Sequence, residues 1–217
     1  MGHPAGAECD STICLGDTTG YGPWPCQCIA LVRESCDWVV AGNHDLGCAG
    51  LLPPSRFNVW GAAAIDWTVR QLSDADRMWL AGLPLTVVRE GIGFCHANPA
   101  APGSWEYIMG AGIAREVINE TRGEKWFYGH THRPCAWGSG GVRTTLGPIN
   151  LRKHPLVNCG SVGQPRDGDP RAAFMMVDTK TLTVESVRVS YPVETTVREI
   201  NRCGLPSFLA ERLPAGR

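Results

Sequence analysis

At 217 residues the chain is long enough for one domain with a substantial core. Its 20 lysines and arginines offset 21 acidic residues, which excludes a general electrostatic grip on nucleic acid or on an anionic membrane surface. Any recognition of phosphate has to be local. No stretch approaches the roughly 18 apolar residues of a membrane span, and "MGHPAGAECD" lacks the charged and apolar regions of a signal peptide. A cytoplasmic protein with reduced thiols is expected. None of the ten cysteines form a C-x-x-C pair, and most read as small hydrophobes, such as Cys14 and Cys95 within apolar runs.

In chain order, "STICLGD" (11–17) and "DWVVAGNHD" (37–45) are short β-branched runs ending in glycine and polar residues. "CQCIALVRESC" (26–36) between them has helical spacing, so the three form a β-α-β unit with parallel strands. Residues 62–83 read as two helices, the second capped by Ser73 with Asp76 completing a capping box. "LTVVREGIGFCH" (85–96) predicts a hairpin around Glu90 and Gly91. A helix over 112–121 leads into the aromatic strand of "EKWFYGHTHRP" (124–134), which Pro134 stops. "GSGG" (138–141) predicts a flexible loop, and His154 in "LRKHP" a solvated one. Three further strands, "PLVNCGS", "RAAFMMVD" and "TLTVESVRV", precede a helix from about Thr195 to Arg202 that ends at Gly204. The domain expectation is a single unit over 1–217, with a helical tail over about 195–217.

Polar clusters follow four of these β-runs: Asp17; Asn43, His44 and Asp45; His96; His130 and His132. Ligands gather at the carboxyl ends of strands in α/β sheets. Each polar residue taken singly could cap a helix or satisfy a turn. Four of the six histidines falling at such ends favours a metal site instead. Carboxylate, amide oxygen and imidazole make a mixed donor set suited to Mn²⁺, Fe or Zn²⁺. A carboxylate such as Asp17 can bridge two cations, the arrangement that clamps a phosphoryl displacement.

The set "GDTTGYGPWP", "VVAGNHD", "GFCHANP", "FYGHTHRP" and "NCGSVGQPRDGDPRAAF" resembles the calcineurin-like metallophosphoesterases, in particular a small prokaryotic branch with Gly-Tyr-Gly-Pro after its Gly-Asp. The likeness runs from about residue 7 to the C-terminus. It implies an α/β (α+β) fold with a central β-sandwich flanked by helices. It also implies that Asp17 bridges two divalent ions, that Asn43, His96 and His130 complete one, and that His132 binds the other. His44 would bind the phosphate and assist the leaving oxygen, with Asn43, Arg133, Asp45 and Arg166 in support and Gly160 and Ser161 shaping the adjacent loop.

The implied activity is hydrolysis of a small phosphomonoester or phosphodiester by metal-bound hydroxide. The family's opening Asp-x-His strand is missing from the sequence, where His3 and Asp10 stand in the wrong order. A first strand and helix of roughly 25 residues would be absent, leaving one full metal site of two and impaired activity. A non-catalytic remnant that binds one metal ion or a phosphorylated ligand is the alternative. Cys159, where the family usually has proline, reads as a small buried residue rather than a thiolate ligand.

Overall fold

A computed structural model describes residues 9–138, 141–144 and 147–217. The expected loop at 138–141 falls partly, and His3 wholly, outside the described residues. Strands β1 (Ile13–Cys14) and β2 (Trp38–Val39) run parallel, joined by helix α1 (Pro25–Ser35), as the β-α-β pattern requires. Among the described residues β1 has no other strand partner. Helix α2 (Asn43–Cys48) follows β2 directly.

Helices α3 (Val59–Val69) and α4 (Asp74–Ala81) come next. At the start of α4, Ser73 Oγ accepts the Asp76 N–H at 3.1 Å, and the Asp76 carboxylate returns to the Ser73 N–H at 3.2 Å, so the predicted capping box is present. Hairpin strands β3 (Thr86–Arg89) and β4 (Ile92–Cys95) turn through Glu90 and Gly91, both at positive φ.

Helix α5 (Ala111–Glu120) and strand β5 (Lys125–Tyr128) follow, then β6 (Cys135–Gly138), β7 (Gly141–Thr144), β8 (Ile149–Asn150) and β9 (Leu156–Asn158). The chain closes with β10 (Ala172–Asp178), β11 (Thr183–Val189), α6 (Val193–Arg202) and α7 (Ser207–Glu211). No helix among the described residues is long and apolar enough to cross a membrane.

The larger sheet has the order β3-β4-β5-β9-β6-β7, with β4, β5 and β9 mutually parallel, and the smaller is antiparallel in the order β10-β11-β8. Side chains alternate across the larger sheet as the pleat demands. Ile92, Phe127, Ala136 and Val157 face the smaller sheet, where Ile149 and Val184 meet them in the sandwich core. Their neighbours Cys95, Tyr128, Trp137 and Leu156 point the other way, onto Ala114 and Val117 of α5. Trp137 Nε1–H donates to the Tyr128 hydroxyl at 2.7 Å, so the polar atoms of this aromatic pair are buried and satisfied.

Two helical clusters flank the β1-β2 pair. Ile29, Cys48, Ile65 and Leu80 bring α1 to α4 together, and α6 and α7 pack on Ala64 of α3 through Ile200, Leu205 and Leu209. The cysteines divide: Cys48 and Cys95 are buried, Cys14 is half-buried, and Cys9 and Cys28 are exposed. Cys159 packs among the sandwich residues, and burial pushes its thiol up to about 12, which leaves it a protonated small hydrophobe. His154 is half-buried beside Gly138 and is not the solvated loop residue expected.

Candidate metal centre

Asp17 follows β1, Asn43 follows β2, His96 follows β4, and His130 and His132 follow β5, so the polar clusters lie at one end of their strands. Holding them there strains the backbone. Asp17 (φ 53°), Trp105 (φ 59°), His130 (φ 59°) and His132 (φ 59°) all occupy the left-handed region, which costs a non-glycine residue roughly 1–3 kcal/mol. The other three such residues, Glu90, Arg122 and Leu182, sit in turns. Strain concentrated at one cluster is expected where side-chain direction matters more than stability.

Donor atoms of Asp17, His96 and His130 lie within 4.8 Å of one another. The tautomers follow from the hydrogen bonds. His96 Nδ1–H donates to the Leu15 carbonyl at 2.7 Å, and His130 Nε2–H donates to the Trp105 carbonyl at 3.1 Å. Each ring has therefore committed its proton, and the remaining nitrogens, His96 Nε2 and His130 Nδ1, carry lone pairs that face each other at 3.1 Å. Asp17 Oδ2 is 3.2 Å from His96 Nε2. With both rings neutral, three acceptors converge on one point, and the one proton drawn there is that which Asp17 favours on His96 Nε2.

Such a cluster is repulsive unless a cation resolves it, and the pKa directions report that demand. Burial works against charge on His96, yet the Asp17 carboxylate overrides it and raises the imidazole. Burial would raise Asp17, and the His96 and His44 rings hold it below the ordinary carboxylate range. His130 is pulled down to about 4, first by burial and then by His96, so it is neutral, as a ligand must be.

Asn43 belongs to the same end of the fold. Its Oδ1 is buried without a hydrogen-bond partner, while both neighbours touch the carboxylate: His44 N–H donates to Asp17 Oδ1 at 2.9 Å, and a Cβ on Gly42 would lie 2.0 Å from that oxygen. An orphaned amide oxygen at the same strand ends as a carboxylate and two imidazoles adds a donor type that fits a divalent ion. His132 is set apart from the three. Its Nδ1–H donates to the Gln164 carbonyl at 2.7 Å, which leaves Nε2 as the acceptor. Burial, then the charge of Arg166, pulls it down to about 3.

His44 is buried with Nδ1 unpaired and lowered in pKa by burial, its ring centroid 4.2 Å from that of Tyr21 and 5.1 Å from that of Phe57. Asp45 accepts the Gly42 N–H at 3.0 Å and the Thr19 N–H at 3.2 Å, tying the start of α2 to the loop after Asp17. Burial and then the Asp17 charge push its pKa up to about 7. Arg166 N–H donates to the His132 carbonyl, and Ser161 Oγ accepts the Gln164 N–H at 3.0 Å, so this loop orients His132. Gly160 (φ 79°) opens that loop. Arg133 is exposed; its N–H donates to Thr131 Oγ1, and no ion pair or hydrogen bond holds its guanidinium among the described residues.

Sequence reasoning missed the segment before α5. Trp105 gives its carbonyl to His130, and the Tyr107 ring stacks on the same imidazole at 4.1 Å and 22°. Neither carries a sequence signal, since one contact is through backbone and the other depends on a non-glycine left-handed turn.

The sequence model of the calcineurin-like phosphoesterase superfamily domain matches residues 3–182. The chain belongs to that superfamily. A metallophosphoesterase from Sphaerobacter thermophilus is similar at 33% identity and a TM-score of 0.87, covering 98% of this chain and 90% of its own. An uncharacterised protein of Methanocaldococcus jannaschii is 39% identical over 213 residues, 94% of this chain and 86% of that protein. A hypothetical protein from Pyrococcus horikoshii OT3 shares the fold at 19% identity, with a TM-score of 0.78 over 97% of this chain and 86% of its own. Metal-dependent phosphoester chemistry is the activity of the calcineurin-like class, and the cluster of Asp17, His96 and His130 is where this member could hold an ion.

Proposed function

We propose that the chain hydrolyses a small phosphomonoester or phosphodiester with Mn²⁺, Fe or Zn²⁺ held by Asp17, Asn43, His96 and His130. The observation that carries the reading is the convergence of Asp17 Oδ2, His96 Nε2 and His130 Nδ1, with the other nitrogen of each imidazole held by a backbone carbonyl. A bound divalent ion supplies Lewis acidity toward a phosphoryl oxygen and a nucleophile at neutral pH. A second ion would be held by Asp17 and His132 among the described residues. Two donors make the weaker site, so turnover should be slow.

His44, buried between Tyr21 and Phe57, offers an imidazole N–H that can hold a phosphoryl oxygen, and in its protonated form it can hand a proton to the leaving group. Arg133, exposed and without a carboxylate partner among the described residues, can approach the same phosphate. The ten free cysteines fit a reducing cytoplasm.

The test is turnover of p-nitrophenyl phosphate and bis(p-nitrophenyl) phosphate after EDTA dialysis and after adding each metal back. Activity should require the metal, and Asp17→Asn or His44→Ala should lower it by roughly 100-fold or more. Equal rates with and without metal, or a fully active Asp17→Asn, would overturn the reading.

A further inference from the structure

The segment between β4 and α5 holds an exposed tyrosine against one imidazole of the metal centre, at a cost in backbone strain. Ile108 is buried in the cluster beneath α5, and its neighbours Tyr107 and Met109 are turned outward, 48% and 55% exposed. The segment is fixed at its base, where the buried Asn98 accepts the Ala100 N–H at 2.9 Å and donates from Nδ2 to Glu106 Oε2 at 3.1 Å. Trp105 takes the left-handed conformation and gives its carbonyl to His130. These constraints lay the Tyr107 ring on His130, with centroids 4.1 Å apart and planes 22° from parallel.

A tyrosine that only buttressed the histidine would be expected to have both faces packed. Tyr21 has that arrangement on the other side of Asp17, lying 4.2 Å from His44 and backed by the α6-α7 cluster. Tyr107 has one face on His130 and, among the described residues, no second ring partner. A flat, half-exposed aromatic face beside a phosphoester centre can stack a nucleobase, a contact worth roughly 1–3 kcal/mol. A ring stacked on the open face would lie about 8 Å from the His130 plane, one further stacking distance beyond the 4.1 Å. A base carried on a pentose spans that distance more readily than the ring of an aryl ester, which sits directly on the phosphate oxygen.

We infer that Tyr107 is the platform on which the base of the substrate stacks, so that the preferred esters are nucleoside phosphates. This rests on the phosphoesterase reading for the position of the phosphate, but the platform itself can be tested without catalysis.

The experiment is calorimetric titration of the full chain, with Mn²⁺ in the buffer, using phosphonate analogues that carry a methylene in place of the ester oxygen and so resist hydrolysis. The three probes are the analogues of adenosine 5′-monophosphate, ribose 5-phosphate and phenyl phosphate. The intact protein should bind the adenosine analogue roughly 5- to 150-fold more tightly than the ribose analogue. Tyr107→Phe should keep that ratio and Tyr107→Leu should abolish it, whereas a merely structural role for the ring would weaken both ligands alike and leave the ratio unchanged. Near-UV circular dichroism checks that each variant is folded. No binding of any analogue, equal binding of the adenosine and ribose analogues by the intact protein, or a ratio that survives Tyr107→Leu would overturn the platform. A phenyl analogue bound as tightly as the adenosine one would overturn the assignment to nucleoside phosphates. A base preference that Tyr107→Leu abolishes, together with absent ester turnover, would support the platform while contradicting the hydrolase reading.

Discussion

Replacing Gly42 by alanine perturbs the centre without removing any donor. Gly42 has φ −93° and ψ 168°, an extended conformation that alanine adopts freely, so the effect is steric alone. The added Cβ would lie 2.0 Å from Asp17 Oδ1, 2.4 Å from Asp17 N and 2.7 Å from Asp17 Cγ. Ordinary contact begins near 3.4 Å, so the carboxylate must retreat by about 1.4 Å. That movement breaks the His44 N–H bond to Oδ1 and turns Oδ2 away from His96. Overpacking and a lost bond to a charged group together cost the metal-free fold about 2–4 kcal/mol. Displacing a ligand by this distance should weaken metal binding by roughly 10- to 100-fold. Urea unfolding gives the first quantity and Mn²⁺ titration calorimetry the second. Gly22→Ala, where a Cβ meets nothing within 4 Å, is the matched control. If Gly42→Ala binds Mn²⁺ as tightly as that control, Asp17 is not a ligand and the reasoning fails.

Three further outcomes follow from the same contacts. Asn43→Ala removes an unpaired buried acceptor, so metal-free stability should stay level or rise by up to about 1 kcal/mol while Mn²⁺ affinity drops at least tenfold; melting temperature and calorimetry read the two. His130 and His132 titrate near 6.5 when unfolded but near 4 and 3 when folded. Below pH 6.5 the unfolded chain therefore binds more protons, and metal-free stability should fall as pH drops from 6.5 toward 4, by on the order of 3 kcal/mol per histidine. His96, raised in the fold, opposes this with a contribution that is full below 6.5 and lost as pH rises through its folded pKa; a denaturation midpoint flat from pH 7 to 4.5 would contradict the balance. Tyr128→Phe strands the buried Trp137 N–H and should cost about 1–3 kcal/mol in urea unfolding, with metal affinity unaltered.

The strand ends were legible because short apolar β-runs that stop at polar residues are a local signal, and Asp17, His96 and His130 each stand within three residues of such a strand end. The α3-α4 pair was legible for the same reason, through its capping box. Helix α2 was not: in "GNHDLGC" the polar residues that look like a turn are its first turn, fixed by the long-range Asp45 to Thr19 contact. Strands β6, β7 and β8 are two to four residues long, too short for periodicity to show. The support of His130 by Trp105 and Tyr107, and the packing of Tyr21 on the α6-α7 cluster, join residues far apart in sequence by backbone or ring contacts that no motif encodes.

The central claim is that Asp17, Asn43, His96 and His130 hold one divalent ion. Anomalous diffraction at the manganese edge, from crystals grown with Mn²⁺, tests it most directly. The account predicts a peak about 2.0–2.3 Å from Asp17 Oδ2, Asn43 Oδ1, His96 Nε2 and His130 Nδ1. Its absence at saturating Mn²⁺, or a peak held by other residues with these four side chains unchanged, would contradict the account.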